Sequence, residues 1–329
     1  MEEQPSTQTT KNPVQLFLTG FAMGSVDIIP GVSGGTMAFI LGVYEQLLNA
    51  IKSVDLTLLK LLVSFKFKAA LEHVHWTFLL PLMLGVGTAI FTLAHAISWM
   101  LENQPVLLFS FFFGLILASI VAIGDAITWS PVAVIMLLVG AAIGFLVVQL
   151  VPLDMSHTPL IVFLSSVVAI MAMILPGISG SFILLMLGQY DYILNAVKSF
   201  DIGVLIIVGT GALVGLLGFA RVLSWLLQHY RQATIAMLVG FMIGSLWKIW
   251  PWKVATSTRI NSHGETVPLT EQNIWPNIAT NEFWVAVAIC VVGFLLFCFL
   301  DHQQSGRNPL FRLFGMDRSK LKEAPQTRT

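Results

Sequence analysis

The chain has 329 residues, of which 56% are hydrophobic and 10% charged, with a formal net charge of zero and a mean hydropathy of +0.84. A soluble domain carries about 25% charged residues, so this composition excludes an ordinary soluble protein, and the balanced charge gives no reason to expect a nucleic-acid partner. The length accommodates roughly ten membrane segments of about 20 residues each.

The N-terminal stretch 1–12 (MEEQPSTQTTKN) is polar and lacks the basic region of a cleavable signal peptide, so it reads as an unprocessed tail. Apolar segments follow at about 13–29, 34–54, 77–101, 105–127 and 131–151, then at 158–175, 180–200, 203–229, 232–250 and 281–300. Between the second and third, Leu58–Trp76 alternates lysines with short apolar groups and reads as an interfacial amphipathic helix, an insertion at about 57–76. The stretch Thr256–Asn281 is polar and reads as an extramembrane loop, about 251–280, and a basic tail closes the chain at 301–329. Cys290 and Cys298 lie eight helical residues apart in one apolar run, roughly 12 Å, too far for a disulfide.

Basic residues set orientation in a membrane. Lys52, Lys60, Lys66 and Lys68 cluster in the inserted segment, and Arg307, Arg312, Arg318, Lys320, Lys322 and Arg328 in the tail, whereas the connections near Glu102 and Asp154 carry none. Both termini and the insertion are therefore expected in the cytoplasm. Lys198, Lys253 and Arg259 then fall outside, as minor exceptions.

The chain repeats itself. Pro30, Gly31, Ser33, Gly34, Leu41, Gly42, Tyr44, Leu48, Asn49, Ala50, Lys52, Ser53 and Asp55 recur at an offset of 146, beginning at Pro176. Further on, Ile97–Leu101 matches Leu223–Leu227 at an offset of 126, which pairs Gly114 with Gly240 and Ser119 with Ser245. Low complexity does not keep Pro, Tyr, Asn, Lys and Asp in register, so residues 13–151 and 158–300 are two copies of one unit. An odd number of crossings per copy makes the second copy inverted. The expected fold is an all-α polytopic membrane protein of inverted-topology repeats. Each repeat holds a re-entrant helical hairpin plus three transmembrane helices, because a Pro-Gly-Ser break at membrane depth survives only where it is buried in protein or lines a wet cavity.

After each break a helix begins. Ser33 and Ser179 occupy N-cap positions, and the N–H groups of Gly34, Gly35 and Thr36, and of Gly180 and Ser181, are expected to point free toward the tips. Such termini accept anions, phosphate above all. Arg221 lies inside the 203–229 segment, where a guanidinium is costly; it is a phosphate ligand, a side chain reaching the cytoplasmic interface, or the structural partner of a carboxylate. Its counterpart in the first copy is His95, a candidate carrier of charge or a proton. Asp27, opposite Met173 in the second copy, precedes the first tip as a proton carrier for coupling, an arginine partner or a cap, and Glu45 and Asp191, eleven residues past Gly34 and Gly180, are either gates at opposite mouths or solvated charges.

These motifs, DIIPGVSGGT with LGVYEQLLNAI and LPGISGS with LGQYDYILNAV, resemble the bacterial polyprenyl-phosphate transporter family (PopT) over about Asn12–Leu300. The resemblance implies a flippase that returns undecaprenyl phosphate to the cytoplasmic leaflet of the inner membrane, for recycling of the carrier lipid in envelope polysaccharide synthesis. A looser resemblance links the tips to membrane undecaprenyl-pyrophosphate phosphatases, whose motif arginine is replaced here by Gly34 and Gly180. An intramembrane lipid phosphatase and a small-anion secondary transporter are thus the alternatives to a non-enzymatic flippase. No metal motif or P-loop stands in the sequence, so neither a metal nor another cofactor is expected. The expected partners are undecaprenyl phosphate and membrane lipids, with homo-oligomer formation left open.

Overall fold

The computed structural model describes residues 11–29, 32–150, 152–153, 155–260, 266–305 and 308–313. Pro30 and Gly31 of the first tip, most of the N-terminal tail and most of the basic C-terminal tail lie outside the described residues.

The first copy begins with α1 (Pro13–Asp27), which Pro13 and a reciprocal capping box between Asn12 and Gln15 start. There follow α2 (Gly34–Ile40), α3 (Tyr44–Lys52), α4 (Leu56–Val63), α5 (Phe67–His73), α6 (Trp76–Asn103), α7 (Pro105–Asp125) and α8 (Pro131–Val148). The second copy repeats the order without the insertion: α9 (Pro159–Ile174), α10 (Gly180–Met186), α11 (Tyr190–Lys198), α12 (Ile202–His229) and α13 (Arg231–Ser245). A β-hairpin, β1 (Lys253–Ile260) and β2 (Thr266–Asn273), precedes α14 (Asn281–Ser305) and the short α15 (Pro309–Leu313).

Four sequence expectations change. The apolar runs 34–54 and 180–200 are each two short helices, broken at Gly42 (φ 69°) and Gly188 (φ 67°), which stand at the same place in the two copies. Only glycine adopts that left-handed conformation without strain. The single amphipathic helix expected at 58–76 is two, α4 and α5, and their outward Val63, Phe65 and Phe67 are exposed beside Lys66. The polar loop contains an antiparallel hairpin, paired from Lys253↔Asn273 to Ile260↔Thr266. Five helices among the described residues, α6, α7, α8, α12 and α14, are long and apolar enough to cross a membrane. α13, the copy of α7, is a shorter helix of 15 residues, ending at Ser245 rather than near 250.

Glycines let these helices touch backbone to backbone, the favoured packing where no hydrophobic effect drives helices together. A Cβ on Gly85 of α6 would meet the Phe17 carbonyl of α1, and one on Gly211 of α12 would meet that of Phe163 on α9. The two contacts are the same contact, displaced by the repeat offsets. Likewise Gly114 of α7 abuts the Cys290 carbonyl of α14, and Gly240 of α13 abuts the Leu137 carbonyl of α8. The third and fourth long elements of each copy therefore exchange partners, α7 with α14 and α8 with α13. Buried Ser119 and Ser245 each donate to the carbonyl three residues back, at 2.7 and 2.8 Å.

The same contacts fix depth. Gly20 abuts Leu82 and Gly24 abuts Val86, so α1 and α6 run parallel, and Asp27 ends α1 level with the middle of α6. Gly211 abuts Phe163 and Gly215 abuts Val167, so α9 follows α12 in the same way. At 15 and 16 residues, α1 and α9 span about 22–24 Å, less than the ~30 Å of a bilayer core.

Candidate functional site

The two breaks meet. The Ser33 hydroxyl donates to the Met173 carbonyl at 2.9 Å, the Gly177 N–H donates to Thr36 Oγ1 at 2.8 Å, and the Tyr44 hydroxyl donates to the Ile174 carbonyl at 2.9 Å. Ser33 and Thr36 are each 1% exposed, so this junction lies in the core. Buried polar groups must find partners, and here each copy supplies the partners of the other. Gly177 adopts φ 90° and would place a Cβ against the Phe241 carbonyl and Ser245 Oγ, so a larger residue fits neither its conformation nor its space.

The N–H groups expected to be free at the first tip are taken. Asp27 Oδ1 accepts from Gly34 N–H at 2.6 Å, Ser33 Oγ accepts from Gly35 N–H at 3.1 Å, and the Ser33 carbonyl accepts from Thr36 N–H at 2.9 Å. A carboxylate at a helix N-terminus plays the part of an anion there, so Asp27 occupies the place foreseen for phosphate. The second tip differs because Met173 stands where Asp27 does. Ser179 caps no N–H of α10; its hydroxyl pairs instead with that of Ser181 at 2.8 Å. Ser181 is exposed while Gly180 and Phe182 are buried. Of the two tips, the second pairs its hydroxyls with each other rather than with the opposite copy, with Ser179 buried and Ser181 exposed.

The remaining candidates lie elsewhere. Arg221 is exposed on α12 and donates to the Leu217 carbonyl at 2.8 Å and to that of Val54 at 3.4 Å. Val54 is ten residues beyond Tyr44, about 15 Å along a helix, so the guanidinium reaches the end of α3 and not the tips. His95 is exposed on α6. Glu45 pairs with Arg231 at 2.8 Å across a cavity of ≈ 230 Å³ that Asn49, Ser224 and Gln228 help to line. Lys52 Nζ donates to Ser224 Oγ at 2.8 Å beside it. Asp191 is half-buried in the first turn of α11, the place that Glu45 holds in α3.

Sequence reading passed over Tyr44, Arg231 and the charged residues of the hairpin. Tyr44 had a signal, its recurrence as Tyr190. Arg231 had none, because its counterpart is Pro105.

The sequence profile described as Undecaprenyl phosphate translocase-like matches residues 23–267. A protein of Vibrio cholerae serotype O1 named Polyprenyl-phosphate transporter is 45% identical over 268 residues, 81% of this chain and 87% of its own. One of Staphylococcus aureus with the same name is 32% identical over 253 residues, 71% of this chain and 85% of its own. No solved structure matches the chain. The paired Pro-Gly-x-Ser-Gly tips lie inside the profile match, and the chain belongs to the undecaprenyl phosphate translocase-like family.

Proposed function

We propose that this chain carries undecaprenyl phosphate from the outer to the cytoplasmic leaflet of the bacterial inner membrane, recycling the lipid, and that it does so as a carrier without enzymatic chemistry. The observation that carries this reading is the buried junction of Ser33 and Thr36 with Met173 and Gly177, in which one tip from each copy closes the centre of the fold. The polyprenyl-phosphate transporters it resembles supply the substrate class.

In this reading residues 13–151 and 158–300 are inverted copies. α13 is the counterpart of α7, yet its glycine contacts, Gly240 on Leu137 and Gly244 on Ala141, run parallel to α8, which returns from α7 over a short connection. The tips are re-entrant and enter from opposite faces, and both termini are cytoplasmic. The headgroup passes Ser33, Gly34, Gly35 and Thr36 on one side and Ser179, Gly180 and Ser181 on the other. The second tip engages phosphate first, since its hydroxyls are not committed to the opposite copy. Asp27 serves coupling, and Glu45 with Arg231, and Asp191 at the other end, act as gates. Arg221 is left out of the headgroup site.

The test is reconstitution in liposomes with labelled undecaprenyl phosphate in one leaflet. Transfer to the other leaflet at a rate proportional to protein is expected. Release of phosphate from undecaprenyl pyrophosphate would make the chain an enzyme instead, and uptake of a water-soluble anion without lipid transfer would make it a solute transporter.

A further inference from the structure

The β-hairpin brings an unusual set of charges to the second tip. Lys253, the first residue of β1, has a side chain only 7% exposed. Its ammonium lies 3.8 Å from the centroid of the Phe109 ring on α7 and 3.6 Å from Glu271 Oε2 of β2. None of its N–H groups has a hydrogen-bond acceptor among the described residues. The same Glu271 oxygen accepts from Lys248 Nζ at 3.1 Å. One carboxylate thus serves two ammoniums, and the cluster keeps a surplus positive charge.

Its position ties it to the junction. Lys248 Nζ stands 5.2 Å from the ring centroid of Phe182, the residue after Ser181 on α10. Three residues before Lys248, Ser245 Oγ borders Gly177. The hairpin itself is pinned to the helix bundle: Asn273 donates to the Trp247 carbonyl at 2.8 Å and Trp250 Nε1 to the Ile274 carbonyl at 3.1 Å.

An ammonium has three donors, and burying them unused is costly unless something repays it. A phosphate monoester carries about −1.5 to −2 charges near neutral pH and strong acceptor oxygens, enough to take both lysines at once. Phe109 and Phe182, 8% and 7% exposed, flank the cluster with apolar surface, which suits a phosphate esterified to a hydrocarbon better than free phosphate.

We propose that Lys248 and Lys253 form a phosphate-monoester site on the hairpin side of the second tip, in which Glu271 holds the two ammoniums until the ligand's phosphate displaces it. The identity of the ligand as a prenyl phosphate rests on the carrier reading above; the charge geometry asks only for a phosphate.

The full-length protein in nanodiscs of neutral phospholipid, titrated separately with farnesyl phosphate, farnesol and inorganic phosphate, tests this. Lys248→Met and Lys253→Met should each lose about tenfold or more in farnesyl phosphate affinity, with farnesol binding unmoved. Glu271→Gln, which removes the internal competitor and keeps both lysines, should bind several-fold tighter, a gain that a merely structural ion pair does not give. If a Met variant fails to fold, as read by size-exclusion profile and thermal unfolding, Glu271→Gln decides alone, and unchanged or weaker affinity in it overturns the proposal. Loss of inorganic phosphate binding with farnesyl phosphate unaffected would overturn the lipid assignment. Were the native protein to move no lipid in liposomes while both Met variants lost phosphate affinity, the carrier reading would fail and this site would stand.

Discussion

Thr36→Val removes a single oxygen from the junction and leaves its shape. Thr36 Oγ1 accepts the Gly177 N–H at 2.8 Å, and the pair is buried. Valine fills the same volume without an acceptor, so the N–H is left unpaired at a cost of about 1–3 kcal/mol. Thr36→Ser keeps the oxygen and serves as the control. The Ser33–Met173 and Tyr44–Ile174 bonds remain in both variants, so the halves stay assembled and the loss falls on the closed arrangement of the tips. A cost of that size shifts the balance between joined and parted tips by roughly 5–150-fold. The assay is thiol labelling of a cysteine at Ser179, buried in the closed arrangement, on a background without Cys290 and Cys298, combined with thermal unfolding in nanodiscs. Thr36→Val should label faster by a factor in that range and unfold a few degrees lower, at about 2–4 °C per kcal/mol, while Thr36→Ser should follow the native protein. Equal labelling and equal unfolding in the Val and Ser variants would refute the idea that this bond holds the tips together.

Other outcomes follow from single contacts. Arg221→Gln should change undecaprenyl phosphate affinity by less than about threefold, since the guanidinium is spent on the Leu217 and Val54 carbonyls; a tenfold loss in a binding titration would bring it back to the headgroup. Gly85→Val drives a side chain into the Phe17 carbonyl and should abolish monodisperse protein on size exclusion, whereas Gly87→Val, with open space around it, should not. Burial pushes the Lys253 ammonium down from 10.5 to about 8, with the Glu271 charge opposing and the Lys248 charge adding to the fall. Burial also pushes the Glu271 carboxyl up, but the two lysine charges outweigh it and hold it below its ordinary range. Phosphate affinity should therefore fall as pH rises through about 8, and the fall should vanish in Lys253→Met. The sign for stability is opposite: from about 8 to 10.5 the unfolded chain binds more protons here, so this group's contribution to stability rises with pH across that window.

Much of the fold could be read because residues with unlike chemistry recur in register. Tyr44 and Tyr190, Asn49 and Asn195, Asp55 and Asp201 keep their spacing, and a spacing needs no third dimension. The breaks at Gly42 and Gly188 were equally visible as recurrences, but hydropathy runs across them unbroken, so a period-based reading joined α2 to α3. The hairpin had a signal as well, since KVATSTRI and TVPLTEQN are rich in β-branched residues; their polarity masked it. A cap was one of the roles open to Asp27, but its target was not legible. That Asp27 turns back onto Gly34 depends on the path of the chain between them, and a carboxylate six residues ahead of an N-cap has no fixed place in any motif. The partners of Arg221 were hidden for a related reason: which side of α12 it occupies depends on where α3 ends.

The scaffold repeats, and so do the charges at Glu45, Lys52 and Asp55, but others do not. Asp27 stands opposite Met173, Arg231 opposite Pro105, and Lys248 opposite Ala122. Such asymmetry changes how fast each face takes up and releases an anion, but it cannot set a net direction. A carrier with no other input brings the lipid to the same chemical potential in both leaflets, whatever its mouths are made of. Net movement of the lipid in one direction then comes either from supply on one side and consumption on the other, or from an ion that moves with it. Asp27 is the residue that separates these cases. Asn in its place keeps an oxygen for the Gly34 N–H, which Asp27 Oδ1 now accepts at 2.6 Å, and removes only the ability to ionise. The tip should therefore stay capped, and Asp27→Asn should still equilibrate labelled undecaprenyl phosphate between leaflets. If a proton travels through Asp27, a pH gradient across the liposome should bias the distribution in the native protein and leave it even in the Asn variant. A bias of the same size in both proteins would remove Asp27 from coupling and leave it as the fixed counter-charge of the first tip.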